Sequence, residues 1–424
     1  MKSFSRTLSI IVMLACVSLI VAAQSAEATI KQIGDLPKIK QALAHLKATE
    51  PDTIAEQIKV CEIPAPTFHE AKRGEWFKQR FTELGLKNVR VDKIGNVLGE
   101  RPGKNNDTVL VLAAHLDTVF PEGTDVKVKR EGREGSILKG PGIGDDCRGL
   151  AVILAVVRAL NQAKIETDGT IIFVANVGEE GLGDLRGVRH LFNEELKDRA
   201  THFISVDGVG LDITNTAVGV VRYRATFRGP GGHSYGAFGL PSPIHAMGRA
   251  IEKISRFEVP QHPKTTFNVG KIEGGTSVNS IAHTSWMEVD MRSIDAAELD
   301  KLEAQFKRAV QQSVDEENRA RPNQAPIIVE LKVVSQRPAG VQPDDSPIVK
   351  TALAAGASLG FTPQLGAGST DSNIPISLKI PAITIDGGGD GKGAHSLDEF
   401  FDTTNSHLGT QWALLIALGI VGVR

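Results

Sequence analysis

The stretch Thr108-Val109-Leu110-Val111-Leu112-Ala113-Ala114-His115-Leu116-Asp117 is an unbroken apolar run closed by two groups able to serve a metal ion. A strand that is apolar throughout, with no alternation, belongs inside a parallel sheet covered on both faces. Thr170 to Val177 and His202 to Val206 repeat the pattern and lead directly to Glu179-Glu180 and Asp207. A further run, Ile380 to Ile385, reaches His395 through a glycine-rich turn, whereas Asp145-Asp146 lies in a glycine-rich turn that opens an apolar helix. In an open α/β sheet, ligands collect outside the carboxyl ends of the parallel strands. Carboxylates and imidazoles collected there suit zinc or a similar divalent ion. The chain therefore reads as an α/β metallohydrolase.

Outward from that core, strand and helix alternate. Helical spacing covers Ile39 to Glu62, Glu70 to Leu84 and Leu150 to Leu160, and Val89 to Leu98 reads as one strand. The texture changes near Val218. Val221 to Arg228 alternates with the period of a half-exposed strand, and a helix over Pro243 to Ile254 follows. Strands at Thr265 to Ile272 and Ser285 to Met291, a helix over Ala296 to Val314 and a strand at Ile327 to Val334 complete a compact α+β block. Past Gly340 the α/β texture resumes, with a helix near Ile348 to Leu359. The expected organisation is a catalytic domain in two parts, 30–217 and 339–424, with a smaller ferredoxin-like lid or dimerisation domain, 218–338, inserted between them.

At 424 residues and 41% hydrophobic content the chain can bury more than one core. A formal net charge of −2 gives no electrostatic reason to expect nucleic acid or an anionic membrane as partner. Lys2 and Arg6 precede an apolar run from Leu8 to Ala23, the outline of a secretory signal. Cleavage after Ala23 is expected, or a few residues later after Ala26 or Ala28, leaving an exported protein without a membrane span. Only Cys61 and Cys147 would remain, too few for a disulfide framework.

Taken together and in this order, the motifs resemble those of the co-catalytic di-zinc exopeptidases and amidohydrolases that include carboxypeptidase G, peptidase T and the aminoacylases. The resemblance runs from about Ile30 to the C-terminus. His115-Leu116-Asp117 matches the family's His-x-Asp segment, which implies that His115 binds one metal and Asp117 orients its ring. Gly140 to Asp146 matches the glycine-rich approach to a bridging aspartate. Aligned on Gly149, that residue is Asp145, with Asp146 as the alternative; Cys147 stands where the family usually has lysine. Glu179-Glu180 matches the paired glutamates, implying Glu179 as general base and Glu180 as metal ligand. Asp207 and His395 then complete the two metal sites. The resemblance implies two divalent ions, zinc first and cobalt or manganese as alternatives, with a bridging hydroxide as nucleophile.

Three matches fall in the inserted block. His233, in Gly231-Gly232-His233-Ser234, resembles a histidine that reaches across a homodimer to stabilise an oxyanion. Asn279 resembles its asparagine neighbour, and Arg292 matches a position associated with the substrate carboxylate, for which a guanidinium fork is well shaped. Gly366 to Asp371 reads as another substrate loop. The expected activity is hydrolysis of a terminal peptide bond in short peptides, with deacylation of N-acyl amino acids as the alternative. A non-catalytic scaffold is a third reading, and it predicts lost ligands, whereas every inferred position here keeps a suitable residue. The one Gly-x-Ser-x-Gly match, Gly356 to Gly360, closes a predicted helix and is in the wrong context for a nucleophile elbow.

Overall fold

The computed structural model describes residues 25–424; the expected export signal, 1–23, lies outside them. Four parallel strands, Thr170–Asn176, Val109–His115, His202–Val206 and Ala382–Ile385, stand side by side in that order at the heart of a nine-stranded sheet. The strand Val109–His115 is buried along its whole length. Its side chains alternate between two cores: Leu110, Leu112 and Ala114 join one, and Val109, Val111 and Ala113 the other. Helices Cys147–Gln162 and His407–Val421 cover the first face, and the short helix Arg186–His190 lies over the second. Apolar runs without alternation are thus explained by burial on both sides.

The margins depart from the expected elements. Val89 to Leu98 is not one strand but two, Lys87–Val91 and Val97–Arg101, paired antiparallel. The Asp92 carboxylate accepts the N–H groups of Ile94, Gly95 and Asn96 and closes a turn in which Gly95 takes φ 110°. The helical stretch Ile39 to Glu62 breaks at Thr49 into Pro37–Ala48 and Glu50–Cys61. Gly366 to Asp371 is not an open loop. Leu365–Gly368 pairs as a strand with Ile213–Ala217, and Asp371 is fully buried.

Residues 219–337 form a sheet of their own, ordered Thr265–Gly274, Thr284–Ser293, Gly219–Arg228, Ile328–Arg337, all antiparallel. Helices Pro243–Ser255 and Ala296–Arg319 pack on one face around Tyr223, Phe227, Met287, Met291 and Phe306. The sequence of elements is the βαββαβ of a ferredoxin-like unit. Where the chain leaves and re-enters the larger sheet, the buried Asn373 amide donates to Val218 O and Pro338 O, both at 2.9 Å, and staples the two crossings together.

Behind the glycine-rich turn lies a buried polar network. The Arg148 guanidinium donates to Gly387 O at 2.7 Å and Ser406 O at 2.6 Å, and pairs with Glu50 at 2.9 Å. Gln57 donates to Ile143 O at 2.8 Å from the same cluster. Truncating one partner of a buried pair leaves the other charge uncompensated. Arg148→Met is therefore expected to lower the unfolding free energy by about 3–5 kcal/mol. A denaturant titration reads this directly, and an unchanged midpoint would show that the network is dispensable.

Candidate functional site

The parallel strands deliver their polar ends to one edge. His115 is the last residue of its strand, and its N–H donates to Asp146 Oδ2 at 3.0 Å. The other Asp146 oxygen accepts Gly149 N–H at 3.0 Å and caps helix Cys147–Gln162. Asp146, wholly buried, is spent on structure, which leaves Asp145 to face the imidazole. The turn that presents Asp145 is held from far along the chain. The Glu399 carboxylate accepts the N–H groups of Gly142 and Gly144 at 2.8 Å and of Asp145 at 3.0 Å.

The resulting distances are short. His115 Nε2 lies 3.0 Å from Asp145 Oδ1 and 3.8 Å from Asp207 Oδ1. His395 Nε2 lies 3.2 Å from Asp145 Oδ2 and 3.0 Å from Glu180 Oε1. Two donor triads follow, His115 with Asp145 and Asp207, and Asp145 with Glu180 and His395, each with ligand atoms within 4.8 Å of one another. Asp145 belongs to both. A third grouping brings Glu179 together with His115 and Glu180.

The Asp117 carboxylate does not hydrogen-bond the His115 ring as expected; its main-chain oxygen takes that place. The Nδ1 of His115 is 3.0 Å from the Asp117 main-chain oxygen and 3.6 Å from its carboxylate. That carboxylate accepts Thr67 Oγ1 at 2.9 Å and the N–H groups of Glu179 and Glu180 at 3.0 Å. One buried aspartate thereby fixes the backbone that carries both glutamates.

The cluster couples its acids and imidazoles tightly. Burial pushes the Asp207 carboxyl up to about 7, with His115 opposing and Asp145 adding to the rise. Hydrogen bonds donated to the carboxylates of Asp145 and then Glu180 hold protonated His395 up to about 10. Three carboxylates and two imidazoles converge, and mixed oxygen and nitrogen donors at this spacing fit divalent ions. The residues present therefore fit two such ions sharing Asp145.

Residues 111–418 match the model of peptidase family M20/M25/M40. The chain belongs to that family. As an M20-family member it is a hydrolase of peptide or amide bonds. It is 27% identical over 356 residues to the uncharacterised protein YqjE of Bacillus subtilis, covering 78% of this chain and 89% of that one. It is 26% identical over 327 residues to carboxypeptidase G2 of a Pseudomonas strain, covering 73% and 74% respectively. Among solved structures, a tripeptidase from Staphylococcus aureus superposes with TM-score 0.71 at 24% identity, covering 87% of this chain and 97% of the other. Aminopeptidase PepT from Bacillus cereus gives TM-score 0.70 at 23% identity, covering 88% and 98%.

Not every expected residue of this M20-family chain reaches the cluster. His233, Asn279 and Arg292 all sit on the ferredoxin-like unit. His233 Nδ1 accepts the N–H groups of Tyr235 and Gly236, and its strand pairs with the one beginning at Ser280, so Asn279 is its neighbour. Arg292 pairs with Asp290 at 2.8 Å. None of their hydrogen bonds or ion pairs is to a residue of the metal triads. Conversely, two residues at the site have no sequence signal of their own, Glu399 and Arg337, while Asp371 is marked in the sequence only as the end of an expected substrate loop. Asp371 accepts Asn176 Nδ2 at 2.7 Å while its other oxygen has no partner, and burial pushes its carboxyl up to about 6. Arg337 grips Glu179 at both its carboxylate and its main-chain oxygen.

Proposed function

We propose that the chain is an exported exopeptidase that cleaves a terminal peptide bond of short peptides with two divalent ions, zinc first among them. The observation that carries this reading is the pair of donor triads sharing Asp145 with Glu179 beside them. A related peptidase from Bacillus subtilis, YxeP, described as binding a dinuclear metal, has the same fold at TM-score 0.65 and 18% identity, which supports the metal count. His115, Asp145 and Asp207 would hold one ion, and Asp145, Glu180 and His395 the other. Such ions, when bound, acidify water and polarise the scissile carbonyl. Glu179 takes the proton from the attacking water and returns it to the leaving amine. Asp117 keeps Glu179 and Glu180 at their stations.

In this reading the block 218–338 is the lid and dimerisation domain. Tyr235, Phe238 and Val278 flank His233 and Asn279 and are 89%, 87% and 102% exposed, an apolar surface that suits a second copy of the chain. Across that homodimer His233 would donate to the oxyanion, with Asn279 beside it and Arg292 on the substrate carboxylate. Among the described residues no helix is long and apolar enough to cross a membrane. Deacylation of N-acyl amino acids is the second reading. A succinyl-diaminopimelate desuccinylase from Corynebacterium glutamicum, 24% identical over 250 residues, favours it.

Metal content and turnover on a panel of di- and tripeptides, before and after chelation, test the proposal. About two ions per chain with chelator-sensitive cleavage is the expected result, given two triads. Metal without peptide cleavage, but with release of acyl groups, would move the assignment to the second reading. Activity that survives complete metal removal would overturn both.

A further inference from the structure

The ferredoxin-like unit touches the catalytic loop through the last three residues of one strand, Ile328–Arg337. Ser335 Oγ and Gln336 N–H both donate to Asp184 Oδ1, at 2.7 and 2.9 Å, and Arg189 returns a bond to Gln336 O. Arg337 goes deeper. Its Nη1 donates to Glu179 Oε1 at 2.9 Å and its Nη2 to the Glu179 main-chain oxygen, with Ser369 Oγ at 3.3 Å completing the contact. Both side chains of the pair are 7% exposed. Glu179 is thus held three ways, at its N–H by Asp117 and at its carbonyl and one carboxylate oxygen by Arg337. The planar fork spans side chain and backbone of one residue and fixes its rotamer.

We propose that Arg337 is a positioning residue for the general base. By binding one oxygen of Glu179 it points the rest of the carboxylate at the cluster, and it does so only while the ferredoxin-like unit is seated against the larger sheet. The inference rests on Glu179 acting as base. It extends that reading by making the orientation of a separate unit a condition for proton transfer. The connection is short and rigid. Pro338 follows Arg337 directly, and the Asn373 staple holds the chain at that residue.

Arg337→Ala on the metal-loaded protein tests it, read as kcat and KM separately together with metal content. The expected result is a loss of about a hundredfold in kcat, the scale for a misplaced reacting group, with KM and metal content little changed. Added guanidinium should restore part of the loss. Arg337→Lys should fall between, because an ammonium cannot span both acceptors. A rise in KM at constant kcat would overturn the inference and make Arg337 a substrate contact. Loss of metal, or kcat unaffected, would overturn it too. Should the alanine variant not fold, the same criteria applied to Arg337→Lys decide the matter. Glu179→Gln, measured alongside, separates the two levels. If that variant keeps its turnover, the general-base reading itself fails; if it is inactive while Arg337→Ala is not, only the present inference fails.

Discussion

Asp145→Ala is expected to lose both metal ions and turnover together. Asp145 gives one oxygen to the side of His115 and the other to the side of His395, at 3.0 and 3.2 Å. Its removal therefore strips a donor from each triad at once. Loss of a group that merely orients a ligand already costs about 10–100-fold in metal affinity or activity, so a shared ligand should cost at least the upper end of that range. His395→Ala makes the contrast, since it removes a donor from one triad and leaves His115, Asp145 and Asp207 intact. Elemental analysis of the purified variants alongside peptide turnover reads both outcomes. An Asp145→Ala protein that still carries two ions would show that the bridging assignment is wrong.

Glu179→Gln is expected to separate what Asp145→Ala removes in common. The amide can still accept from Arg337, so the loop and the metal content should persist while kcat falls by about 10²–10⁴-fold, the usual worth of a positioned base. The pH profile gives an independent sign. Burial pushes the Glu179 carboxyl well above its ordinary value, with Arg337 opposing. A base works only when ionised, so activity should fall as pH drops through that raised value, well above the ordinary carboxylate range. In the glutamine variant the limb due to this group should be gone from the residual rate. A full rate at unchanged metal content would move the base to another residue.

What could be seen in the sequence follows from how each feature is built. Val109–His115, Thr170–Asn176 and His202–Val206 announce themselves because burial on both faces demands apolar side chains at every position. The donors at their ends stand out only as a set, because each alone would pass for an ordinary polar strand end. Lys87–Val91 and Val97–Arg101 merged into one strand because Val97 and Leu98 continue the apolar texture, while the turn rests on one carboxylate accepting three N–H groups. Glu399 and Arg337 leave no local trace. Each is a common residue whose task is defined only by a partner 254 or 158 positions away. Asp146 is told apart from Asp145 only in three dimensions, where its carboxylate accepts the N–H groups of His115 and Gly149.

The Glu399 contact has a consequence for the order in which the molecule can be made. A growing chain that has reached Ile380 already carries His115, Asp145, Glu180 and Asp207. It lacks both His395 and the carboxylate that gathers three N–H groups of the Gly142 to Asp145 turn. Until the last segment docks, the turn that carries Asp145 is without those three bonds and one triad is a donor short. Under the proposed two-ion assignment, the second ion can be bound only once that last segment has docked, after the sheet that supports the site has formed.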